Sequence, residues 1–78
     1  MALIRSFVPT GASNIGRIHG EVECGYAIFE AAGGRYLQLD TYGSSDRALP
    51  GKVSQTLQVD ESSARELNRL LMLAFPTL

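Results

Sequence analysis

The sequence predicts an α+β fold, an antiparallel sheet of four to five strands packed against one C-terminal helix. Three observations carry this expectation. Residues 35–59 hold two strand-like runs around the densest cluster of polar and turn-forming residues. Period-2 alternation recurs upstream, at 17–24. From residue 60 the pattern changes to helical spacing, with a capping residue before it and a proline after it. The expected layout is one domain over 1–78: an N-terminal strand and loop at 1–16, the antiparallel sheet at 17–59 and the helix at 60–75.

Leu3 to Val8 is a short apolar run closed by Pro9, which suits a terminal edge strand. Thr10 to Gly16 has loop composition. From Arg17, alternation puts Ile18, Gly20, Val22 and Cys24 on one face and Arg17, His19, Glu21 and Glu23 on the other. Gly25 marks a bulge or a break, and Tyr26 to Glu30 is strand-like again. Ala31-Ala32-Gly33-Gly34 then turns a hairpin. A two-residue Gly33-Gly34 loop sets Phe29 against Gln38, whereas a three-residue loop sets it against Leu37. The two registers send Phe29 to opposite faces.

Arg35 to Tyr42 alternates with Leu37 and Leu39 inward and Tyr36, Gln38, Asp40 and Tyr42 outward. Gly43 to Lys52 is a loop, and Val53 to Val59 is a strand with Val53, Gln55, Leu57 and Val59 on one face. Asp60 is a good N-cap for a helix running to about Phe75, stopped by Pro76. Ala64, Leu67, Leu70, Leu71 and Ala74 form its buried stripe. One stripe does not bury Met72, Leu73 and Phe75 as well, so these three are the candidate homodimer interface. The competing arrangement folds Leu3, Ile4, Phe7 and Val8 back over the helix end.

Hydrophobic content of 45% supports a core, but 78 residues leave little stability margin. The net charge of −1 argues against a strongly basic nucleic-acid binder. No apolar run approaches the roughly 18 residues of a membrane span, and the first residues lack signal-peptide features. A single cysteine, Cys24, forms no intrachain disulfide, and a cytoplasmic protein is expected.

No catalytic, metal or cofactor site is expected. His19 and Cys24 are the only His and Cys, too few for zinc, and Cys24 is more simply a small core residue. Gly51-Lys52-Val53-Ser54 lacks the P-loop's first glycine and its hydroxyl after the lysine. The feature with most chemical content is the outward row Tyr36, Gln38, Asp40 and Tyr42. Aromatics with hydrogen-bonding neighbours on an open sheet face can stack and pair with bases, though tyrosines there also simply stabilise cross-strand pairs. Arg17, Arg35, Arg47 and Lys52 are the cations that could meet phosphates, or form ordinary surface ion pairs. The candidate nucleic-acid set is therefore Arg17, Arg35, Tyr36, Gln38, Tyr42, Arg47 and Lys52. The expected function is a non-enzymatic module for single-stranded DNA or RNA; the alternative is a small protein-binding adaptor or inhibitor, of the kind found with mobile elements.

Leu37 to Ser44 (LQLDTYGS), then Arg47, then Gly51-Lys52-Val53-Ser54-Gln55, resembles a family of small bacterial proteins often labelled methionyl-tRNA formyltransferase-like. The resemblance spans roughly residues 22–75. It implies kinship but not that activity, because a formyltransferase is several times longer and its catalytic residues have no counterpart here. The order of strands, polar loop, Gly-Lys, strand and closing helix is also similar to the single-stranded-DNA-binding domain of the coactivator positive cofactor four. That resemblance implies a curved antiparallel sheet and a dimer through the helix; the family's strongly basic sheet is missing.

Overall fold

The structure is a computed structural model and describes residues 1–11, 16–43 and 52–78. Four strands, β1 (Ala2–Ile4), β2 (Cys24–Ala31), β3 (Gly34–Tyr42) and β4 (Val53–Asp60), precede one helix, α1 (Glu61–Ala74). They form one sheet in the order β1-β4-β3-β2, and the fold is α+β. Both β2–β3 and β3–β4 are antiparallel, but β1 pairs with β4 in parallel, so the sheet is mixed rather than purely antiparallel. Among the described residues no helix is long and apolar enough to cross a membrane.

The hairpin turns on Ala32-Gly33, one residue earlier than the glycine pair suggests, with Ala31 opposite Gly34. Both turn residues have positive φ, 51° and 76°, as a type I′ turn requires. Gly33 adopts this freely, whereas Ala32 is an uncommon occupant. The register sets Phe29 against Tyr36 and Ile28 against Leu37. It matches neither expected pairing, but it differs from the first by two residues, so the faces are those of a two-residue loop.

The predicted strand at 17–23 does not form. Those residues are exposed and irregular, and the Tyr42 amide donates to the Glu23 carbonyl at 3.3 Å where the segment meets the sheet. The expected N-terminal edge strand does form, shorter than the apolar run Leu3–Val8, as Ala2–Ile4 at the opposite edge from β2. The expected loop at 43–52 falls largely on residues 44–51, outside the described residues.

Cross-strand pairing defines two faces. One carries the rows Ile4–Val59–Leu37–Ile28 and Ala2–Leu57–Leu39–Tyr26, ending in Gln55, Thr41 and Cys24. The helix starts on this apolar face, with Ala64 close to Val59, Leu37 and Ile28. Among the described residues Val59 is the one buried apolar side chain, at 3% exposure. Cys24 belongs to this face as expected, yet it is exposed.

β4 passes into α1 through Asp60 alone, which ends the strand and caps the helix. Its carboxylate accepts from the Ser63 amide at 2.9 Å, and the Ser63 hydroxyl accepts from the Asp60 amide at 3.1 Å. Arg5 adds an ion pair to the same carboxylate at 3.1 Å. The Ser63 amide and hydroxyl, and then Arg5, hold the Asp60 carboxyl below the usual aspartate range. Glu66 is lowered in the same direction by the Arg69 guanidinium.

A depressed folded-state pKa gives stability that is present above the unfolded value, near 4, and lost as pH falls through the folded one. Thermal melts should therefore show wild type losing part of its stability below about pH 4. Asp60→Asn keeps a capping oxygen but should lack most of that acid-dependent part, and Asp60→Ala should lower Tm by about 4–8 °C at neutral pH. An Ala variant melting with wild type would show that the cap does not hold the junction.

Candidate functional site

The face opposite the helix carries the outward row of β3. Its cross-strand rows are Asp60–Tyr36–Phe29, Leu3–Gln58–Gln38–Ala27 and Thr56–Asp40–Gly25, with Tyr42 beyond. Alternation puts these residues together because the strands share one pleat. The face is neither apolar nor basic: it joins aromatic rings at both ends to a polar centre.

The rings lie close along the sheet. Tyr36 stacks on Phe29 with centroids 5.5 Å apart and planes inclined by 21°. A Cβ placed on Gly25 would come within 2.8 Å of the Tyr42 hydroxyl and 3.2 Å of its ring carbon Cε2. On Gly34 it would meet the Tyr36 hydroxyl at 3.3 Å. Each tyrosine thus rests over a glycine, a covering that compensates for the side chain glycine lacks in a strand. Tyr42 follows Tyr36 by six positions, about 20 Å of extended chain.

Between the rings runs a continuous polar ladder. Gln58 Nε2 donates to Gln38 Oε1 at 2.9 Å; Gln38 Nε2 donates to Asp40 at 3.2 and 3.3 Å; Thr56 Oγ1 donates to Asp40 Oδ1 at 2.7 Å. These bonds fix the Gln38 amide, with its oxygen toward Gln58 and its nitrogen toward Asp40. Half-buried and mutually bonded, the side chains hold defined directions, which an unconstrained glutamine would not.

The structure brings together Tyr36, Gln38 and Tyr42 from the sequence-predicted set, but not the cations. Arg35 lies on the apolar face by alternation and pairs with Glu30 at 3.3 Å beside the hairpin. Arg17 is exposed in the irregular segment before β2, Lys52 is exposed at the head of β4, and Arg47 lies outside the described residues. Phe29, Thr56 and Gln58 complete the platform and were missed. Phe29 was hidden by the open hairpin register. Thr56 and Gln58 carry the outward parity of β4, which could have found them.

The predicted interface residues Met72, Leu73 and Phe75 are all exposed, Leu73 at 66% and Phe75 at 57%. The N-terminal segment does not fold over them. Arg5, Ser6 and Phe7 instead share a shallow groove with Ser62, Ser63, Arg65, Glu66 and Arg69, in the first half of the helix. Comparisons with protein-family models, with curated proteins and with solved structures find no match.

Proposed function

We propose that the protein is a non-enzymatic module, working as a homodimer, that binds single-stranded nucleic acid on the aromatic face of its sheet. The observation that supports this most is the platform: Phe29 stacked with Tyr36 at one end, Tyr42 over Gly25 at the other, and oriented amides between them. Aromatic faces accept any base by stacking, and fixed hydrogen-bonding edges add preference.

Charge sets the character of the binding. Asp40 lies at the centre of the face, and Arg5 at its rim is already paired with Asp60, so few phosphates are neutralised there. Binding then depends on stacking rather than counterion release, and its salt dependence is shallow. The test is a fluorescence-anisotropy titration with single-stranded DNA and RNA at 50 and 200 mM salt, conditions spanning the range over which multi-phosphate binders lose about a thousandfold or more. Saturable binding at tens of micromolar or tighter, changing by less than about tenfold between the two salts, is the expected result. An absence of binding at either salt would refute this reading.

A second reading, a protein-binding adaptor or inhibitor, is favoured by the Asp40 carboxylate, which repels phosphate but accepts readily from peptide amides. Failure of the titration followed by specific capture of a host protein on this face would favour it.

A further inference from the structure

Two apolar surfaces of this chain lie open, and each is what the other lacks. On the sheet, Val59 is buried and Leu37 and Leu39 are half-buried, whereas Leu57 is 37% exposed, Ile28 58% and Tyr26 74%. On the helix exposure rises toward the C-terminus: Ser63 is buried, Ala64, Leu67 and Leu70 are half-buried, and Leu71, Met72, Leu73 and Phe75 are exposed. The helix meets the sheet chiefly along β4, and among the described residues its start, at Ala64, is the part that comes near Leu37 and Ile28.

The junction explains why. With Asp60 serving as strand end and cap at once, no linker remains to swing the helix back over the sheet. The helix's polar side is already finished by the pairs Arg65–Glu61 at 2.8 Å and Arg69–Glu66 at 2.6 Å. What remains is a helix end with an apolar side and a sheet face of matching character, neither reachable by the other within one chain.

We propose that a second copy of this chain covers the apolar sheet face with the last two turns of its helix, and that the exchange is reciprocal about a two-fold axis. This rests on the homodimer reading and specifies its interface as helix on sheet, not helix on helix or edge on edge. Self-complementarity singles out the occupant, because one symmetric contact repeated twice covers both surfaces. The side chains to be covered are large: Tyr26 and Ile28 on the sheet and Met72, Leu73 and Phe75 on the helix are all exposed, and a two-fold contact covers this set twice. The arrangement leaves the Tyr36–Tyr42 face of both copies outward.

The test is sedimentation equilibrium on wild type, on Tyr26→Glu, on Leu73→Lys and on their equimolar mixture. Both side chains are exposed within the single chain, so neither exchange disturbs its own packing. Wild type should be dimeric, each variant alone should dimerise at least tenfold more weakly, and the mixture should regain dimer. In the mixed dimer one helix–sheet contact is wild type and the other sets Lys against Glu. The regained dimer also shows that both variant chains are folded. A dimeric wild type with unimpaired Tyr26→Glu, or a mixture no better than its components, would overturn the helix-on-sheet arrangement while leaving a homodimer standing. A wild-type monomer at about 100 µM, the weak end of specific association, would overturn the homodimer and this interface with it.

Discussion

Val59→Asp is expected to abolish cooperative folding, read as loss of the thermal transition in circular dichroism. Val59 sits between Ile4 and Leu37 in its cross-strand row, with Ala64 of the helix close by. It is where β1, β3, β4 and α1 converge. An aspartate there forfeits the valine's burial and places a carboxylate among apolar neighbours, with no cation on that row. A domain of this size has only about 3–5 kcal/mol from a single core, so such a loss exceeds the total. Val59→Ala separates packing from charge. It removes two methyl groups and leaves a small cavity, for a loss of about 2 kcal/mol and a Tm lower by roughly 8–16 °C. If Val59→Asp still melted cooperatively near the wild-type temperature, the core would have to lie elsewhere.

Loss of both platform tyrosines, Tyr36→Ala with Tyr42→Ala, is expected to abolish oligonucleotide binding while the chain stays folded. Base–aromatic stacking is worth about 1–3 kcal/mol per base, so each exchange alone should weaken binding by roughly 5- to 150-fold. Tyr36→Phe and Tyr42→Phe keep the ring and should bind within a few-fold of wild type, which separates stacking from the hydroxyl's hydrogen bonding. Because both rings lie on the face opposite the helix, the melting temperature should fall only modestly, a difference that melts of the same samples would check. Wild-type affinity in the double alanine variant would remove the platform from the binding surface.

The elements that were legible in the sequence are those whose signal is local. Asp60, the helical spacing after it and Pro76 lie within one element, and α1 runs Glu61–Ala74, within one residue of the expected end. The alternation of 35–42 reads directly as β3 because both of its edges are paired. The same alternation in 17–24 misleads: period 2 shows that a segment can present two faces, not that it pairs with a neighbour, and the outer edge of β2 carries no further strand among the described residues. Parallel pairing of β1 with β4 has no local signature at all, since its partners are brought together only by the rest of the sheet.

The candidate site divides in the same way. Tyr36, Gln38 and Tyr42 share a face because one strand's parity settles it. Arg35 was grouped with them by nearness in sequence, although the same parity puts it on the other face. Arg17 was placed by a strand that does not exist. Phe29 depended on the hairpin register, which a shift of a single turn residue decides.

The strand order also carries a consequence for how the protein is made. β2, β3, β4 and α1 follow one another, and each can pair with the element just before it as it emerges from the ribosome. β1 cannot. Arg5 and Asp60, which close its junction with β4, are 55 residues apart in sequence. At about 5–20 residues per second, β1 waits roughly 3–11 s for β4. Until then β4 has an open edge once it forms, a template for any extended chain nearby. β1 therefore pairs only after β4 is made, and in doing so it seals that edge of the sheet.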